Sequence, residues 1–115
     1  MSGLTIYHNP RCQKSRETLK IIHEKGQSAK VVEYMKVCPS FEEMKSLITK
    51  LGITPFELIR KGEKIYKEEF KGRELSDDEW INVMIENPQL IERPIVVKDS
   101  TAILGRPPEN VNQLL

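Results

Sequence analysis

Leu4-Thr5-Ile6-Tyr7-His8-Asn9-Pro10-Arg11-Cys12-Gln13-Lys14-Ser15-Arg16 is the stretch that decides the fold. Leu4 and Ile6 alternate with polar neighbours as a half-buried strand does, and Asn9-Pro10 breaks that strand. From Ser15 to Lys25 the chain is rich in helix formers. Leu19 and Ile22 are spaced for one buried face, and Gly26 is placed to close the helix. Cys12 therefore falls at or just before a helix N-terminus. Unpaired N–H groups and the positive dipole end there favour thiolate over thiol. The same amides, with Arg11, Lys14 and Arg16 beside them, suit an anion.

A lone cysteine is more often a small buried hydrophobe than a nucleophile. The long polar flanks Arg11, Gln13 and Lys14 speak against a dry core position. Ser15, one turn further on, has two open readings: a hydrogen bond to the sulfur, or a second helix cap. His8 likewise either holds positive charge near the sulfur or simply ends the strand.

At 115 residues the chain has room for one core but not for two, so 1–115 is read as a single domain. Its 38% hydrophobic and 30% charged residues are ordinary for a soluble protein. A net charge of +1 gives no electrostatic grip on nucleic acid or an anionic membrane, and neither is expected as a partner. Without a signal-peptide layout at its start, the chain is expected to be cytoplasmic, where a structural disulfide does not persist. Cys12 and Cys38 are the 2 cysteines. They form no C-x-x-C, and with His8 and His23 they show no metal-ligand spacing. Cys38, in Val37-Cys38-Pro39-Ser40, is read as a passive loop residue rather than a resolving thiol. His23 is read as a solvent-facing helix residue.

Val31 to Met35 reads as a second strand. Ser40 with Glu43 caps a helix that carries Met44, Leu47, Ile48 and Leu51 and closes at Gly52. Thr54-Pro55-Phe56-Glu57 opens a short helix running to near Gly62, and Ser76 with Glu79 opens another bearing Trp80, Val83 and Met84. Asn87-Pro88 ends it. Pro94–Val97 and Ala102–Leu104 read as strands joined by a hairpin at Asp99-Ser100, and Pro107-Pro108 starts a short C-terminal helix. The order is that of an α/β, thioredoxin-like fold: a mixed four-stranded sheet with a helical insertion over about 40–88. Trp80 and the Met and Leu positions are core residues of that insertion. Pro94 heads a strand where such folds place a cis peptide beside the redox cysteine. From residues alone it reads equally as a trans strand start.

YHNPRCQKSRETL, LIRK, ERPIVV and GRPPE together resemble the glutaredoxin-dependent arsenate reductase (ArsC) family, in particular its short YfgD-like branch. The resemblance spans Thr5 to about Leu114. It implies that Cys12 is the nucleophile attacking arsenate, that Arg60, Arg93 and Arg106 bind the oxyanion, and that Ser15 supports the thiolate. It further implies that His8 lowers the cysteine's pKa and that Pro94 is a cis-proline. Planar guanidinium forks suit such an oxyanion better than flexible ammonium groups do. For an arbitrary arginine, a solvated surface charge is the commoner outcome. Glutathione enters as co-substrate and glutaredoxin as partner, with no metal and no tightly bound cofactor; a monomer is expected.

The chain is shorter than the better-characterised arsenate reductases, and Cys38 lies outside the family's catalytic pattern. Two alternatives stand beside arsenate reduction. One is a glutathione-linked thiol oxidoreductase with a different substrate. The other is a regulator resembling the Spx proteins, which bind RNA polymerase. Those sensors switch through an N-terminal C-x-x-C, and Ser15 removes its second sulfur.

Overall fold

β1, Leu4–His8, is covered on both faces: Leu4, Ile6, Tyr7 and His8 are all buried. The strand ends at His8, directly before the expected Asn9-Pro10 break, and its burial exceeds that of a half-buried strand because it is central. β2 (Ala29–Glu33) pairs with it in parallel, with His8 opposite Glu33, and β3 (Ile95–Lys98) pairs antiparallel, with Ile6 opposite Val96. β4 (Thr101–Leu104) completes the sheet in the order β2-β1-β3-β4. This is the mixed four-stranded sheet of a thioredoxin-like fold. β2 starts and ends two residues earlier than Val31–Met35, because the register with β1 fixes it. Tyr34 and Met35 fall in the turn beyond it.

The computed structural model describes residues 3–115. The chain divides into two units, one made of the chain up to Val37 with Arg93–Leu115, the other of Cys38–Glu92. In the first, α1 (Gln13–Glu24) follows β1, and Gly26 takes φ 75° just beyond its end. Leu4 and Ile6 of β1, Ile22 of α1, Val96 of β3, and Val111 and Leu114 near the C-terminus form one core cluster. Full burial of such a side chain is worth ~1.5–3 kcal/mol. Asp99, at φ 57°, makes the tight β3–β4 turn. The C-terminal segment Pro108–Leu114 is 3₁₀ rather than α-helical. It is too short to accumulate the bonding that offsets α-helix nucleation.

In the second unit, α2 (Phe41–Leu51) is capped by Ser40, which accepts from the Glu43 amide, and ends at Gly52 with φ 71°. Thr54 and Glu57 form a full capping box on a 3₁₀ turn, Pro55–Leu58. That turn stops short of Gly62 because Ile59 becomes extended and bridges Ile91. The Arg60 amide donates to Leu90 O at 2.7 Å and the Glu92 amide to Leu58 O at 2.9 Å. Tyr66–Phe70 forms a π-helical turn that no periodicity announced. α3 (Asp77–Glu86) starts at the expected Ser76/Glu79 box. Met44, Leu47, Leu58, Trp80, Met84 and Leu90 are buried. The Trp80 ring lies 5.2 Å from Phe56 and 6.3 Å from Phe70, an aromatic core contact. Among the described residues no helix is long and apolar enough to cross a membrane.

Candidate active site

The turn between β1 and α1 is built by Asn9. Its carbonyl accepts from the Cys12 amide at 2.9 Å, and its side-chain Oδ1 accepts from the Arg11 amide at 3.0 Å. That Asx-type turn delivers Cys12 to the N-cap position of α1 with extended backbone, φ −95° and ψ 122°. The sulfur makes no full cap hydrogen bond to the described residues. Its ionisation nonetheless responds to what surrounds it. Burial pushes the Cys12 thiol up, but the Ser15 amide, the Arg93 guanidinium and the Lys14 amide outweigh it and hold the pKa below the ordinary value. The helix start thus does for a thiolate what it does for any capping anion.

Ser15 and His8 act one step back from the sulfur. Ser15 Oγ accepts from the Asn9 amide at 3.1 Å and pairs with His8 Nδ1 at 2.6 Å. The hydroxyl is therefore committed to the loop, and the Ser15 contribution to the thiolate comes from its backbone amide. His8 closes β1, and its pKa is lowered. Burial is the main cause, Glu33 opposes it and Arg16 adds to it. The ring braces Ser15, and the lowered pKa favours its neutral form. Arg16, one of the flanking cations, is spent on a 2.9 Å bond to Pro10 O.

Arg93 reaches the sulfur from the start of β3. Arg106 is fixed beside it, with Nη1 donating to Arg93 O at 3.1 Å. Asn110 holds the Arg106 loop by donating to Leu104 O and Arg106 O, each at 3.2 Å. The Arg93–Pro94 peptide is cis, and so is Arg106–Pro107, which the sequence reading did not anticipate. Gly105 is packed so closely that a Cβ on it would lie 2.5 Å from Thr18 Oγ1 and 2.8 Å from Pro94 Cγ. Thr18 in turn bonds Lys14 O in the first turn of α1. That contact locks the cysteine helix against the loops carrying both arginines.

His8, Cys12, Ser15, Arg93, Pro94 and Arg106 all belong to the first unit. Arg60 belongs to the other, where its guanidinium lies 3.8 Å from a carboxylate oxygen of Glu63 and of Glu92. Cys38 is also in that unit, its thiol 3.4 Å from Ile85 O. Asn9 and Asn110 help to build this region and were not singled out in the sequence, and Tyr34 lies near Cys12, Arg93 and Asn9. The Asn-Pro pair was a legible signal for Asn9, as a turn former. Tyr34 needed the parallel register, which puts the carboxyl ends of β1 and β2 side by side.

The ArsC family model matches residues 7–114 of this chain. The chain belongs to the ArsC family. Among curated ArsC relatives, it is 43% identical over 112 residues to the uncharacterized protein YfgD of Escherichia coli K12, covering 96% of this chain and 94% of that one. It is 37% identical to the arsenate reductase of Neisseria meningitidis over the full length of both. Among solved structures, the arsenate reductase from Vibrio cholerae superposes with a TM-score of 0.94 at 45% identity, covering 98% of each chain.

Proposed function

We propose that this ArsC protein is an arsenate reductase acting through a Cys12 thiolate–arsenate adduct, with glutathione and glutaredoxin as reductants. One observation carries the reading: the Cys12 sulfur meets two helix amides and the Arg93 guanidinium, which together lower its pKa. Such a constellation both activates a nucleophile and receives an oxyanion.

In this reading the Cys12 thiolate attacks arsenic. An S–As bond forms, one As–O bond breaks, and the oxygen leaves as water after taking up protons. Arg93 and Arg106, with Arg60 as the third guanidinium, neutralise the remaining oxygens. A glutathione thiol replaces a second oxygen as water. Glutaredoxin's thiol then attacks the glutathione sulfur. The new S–S bond is the oxidised product, and the electron pair of the broken S–As bond reduces arsenic from the +5 to the +3 state. Hydrolysis of the last S–As bond releases arsenite and restores the Cys12 thiolate. A cleft of about 230 Å³ beside the same loop, lined by Asn9, Pro10, Arg11, Glu33, Met35 and Lys36, offers room for the incoming thiol. A cytoplasmic location would supply the reduced glutathione.

The test is arsenate-dependent NADPH oxidation with glutathione, glutaredoxin and glutathione reductase, wild type beside Cys12→Ser. Turnover that vanishes in the variant is the expected result; no turnover by the wild type overturns the substrate assignment. One observation favours a glutathione-linked thiol oxidoreductase with another substrate: Arg60 is already paired with Glu63 and Glu92. If Arg60→Ala keeps wild-type arsenate turnover, the three-arginine version of the site is wrong.

A further inference from the structure

We propose that the Tyr34 hydroxyl is a neutral hydrogen-bond donor to the oxyanion bound at Cys12, an additional substrate-binding group beside the arginines. The proposal rests on the reading of Cys12 as an oxyanion site and adds a residue to it.

Tyr34 is 1% exposed, and its hydroxyl makes no well-formed hydrogen bond among the described residues: Asn9 and Arg93 lie near the oxygen as donors, but the O–H has no acceptor. Buried phenol hydroxyls are ordinarily paired, so one left over calls for a missing partner. Its position says which kind. Tyr34 directly follows β2, whose last residue, Glu33, lies opposite His8 at the end of β1. Tyr34 therefore follows the end of β2 beside the loop Asn9–Cys12, with Cys12, Arg93 and Asn9 near its hydroxyl. Cys12, Arg93 and Asn9 are each near enough to move its ionisation. Burial, with the Cys12 charge adding to it, pushes the phenol up to about 12 against the pull of Arg93 and Asn9. Tyr34 therefore keeps its proton throughout the physiological range and acts as a donor.

Around this point the protein presents donors: the Lys14 and Ser15 amides, the Arg93 guanidinium and the Tyr34 hydroxyl. The thiolate is one acceptor, and it serves the amides and Arg93. A tetrahedral oxyanion brings several more, so the Tyr34 O–H finds its acceptor when the anion arrives. A neutral donor also differs in kind from the arginines. It adds direction without further repulsion between cations in the empty site.

The experiment measures protection of Cys12 from iodoacetamide by arsenate, in wild type and Tyr34→Phe, with Cys38→Ser as the common background. It also takes the ratio of alkylation rates with anionic iodoacetate and neutral iodoacetamide. In Tyr34→Phe the half-protecting arsenate concentration should rise about tenfold, equivalent to about 1.4 kcal/mol. The iodoacetate preference should fall with it, and the melting temperature of the free protein should not drop. A purely structural tyrosine would lower the melting temperature and leave both anion readouts unmoved. An unchanged half-protecting concentration and reagent ratio overturn the role of Tyr34 while leaving the oxyanion site intact. Failure of arsenate to protect the wild-type background overturns the oxyanion reading itself. Should the phenylalanine variant fold poorly, 3-fluorotyrosine in place of Tyr34 strengthens the donor and should shift the half-protecting concentration downward; no shift counts against the proposal.

Discussion

Cys12 and Cys38 are the same side chain placed in opposite electrostatic settings. Cys12 sits at the start of α1 against two amides and Arg93, and its pKa is lowered despite burial. Cys38 sits in a loop with its S–H directed at Ile85 O, and burial together with Glu43 pushes its pKa up. A carbonyl acceptor and a nearby carboxylate favour the thiol; helix amides and a guanidinium favour the thiolate. Neither location is marked by the cysteine itself. The surroundings decide which sulfur is a nucleophile.

The sharpest way to break this contrast is to delete each sulfur in turn. Cys12→Ser should reduce arsenate-dependent turnover by at least about a thousandfold, because the covalent route has no second nucleophile. Cys38→Ser should keep most of it. Equal losses in the coupled NADPH assay would make the two a redox pair instead. Arg93→Lys tests what lies behind the contrast. The charge stays but the planar fork is lost, so the arsenate concentration for half-maximal rate should rise about ten- to a hundredfold. Cys12 alkylation should then need a higher pH, and a variant with wild-type kinetics would remove Arg93 from the site. A smaller effect is expected from Gly105→Ala. Its new Cβ would collide with Thr18 and Pro94, costing about 1–3 kcal/mol as overpacking does. Thermal unfolding should show the loss, and Cys12 should alkylate more slowly at neutral pH as α1 is pushed from Arg93. An unshifted melting temperature would mean that the contact gives way freely.

Much of this contrast was legible in local sequence. The strand–turn–helix around Cys12 is written in Asn9-Pro10 and the helix formers after it. The Ser40, Thr54 and Ser76 starts are signalled within four residues, because a cap is satisfied by its own first turn. Readings failed where distant pairing decides. β2 ends at Glu33 rather than Met35 because β1 sets its register. The Thr54 helix stops at Leu58 because Ile59 is claimed by Ile91. The bond from Arg106 to Arg93 O depends on the β3–β4 hairpin, and the hydroxyl of Ser15 belongs to His8 and Asn9 rather than to the sulfur. Tyr34 carried no local signal, since only the parallel pairing of β1 and β2 brings it to the cysteine loop.

The Ser15 and Lys14 amides and the Arg93 guanidinium hold the Cys12 pKa below that of an ordinary cysteine. Thiolate absorbance followed against pH in the Cys38→Ser protein, where Cys12 is the remaining thiol, tests it most directly. A lowered pKa means the thiolate is present from lower pH upward, so the midpoint should fall clearly below that of an ordinary cysteine. It should then rise again in the Arg93→Lys background. A midpoint at or above the ordinary cysteine value would mean that the helix amides and Arg93 do not activate Cys12.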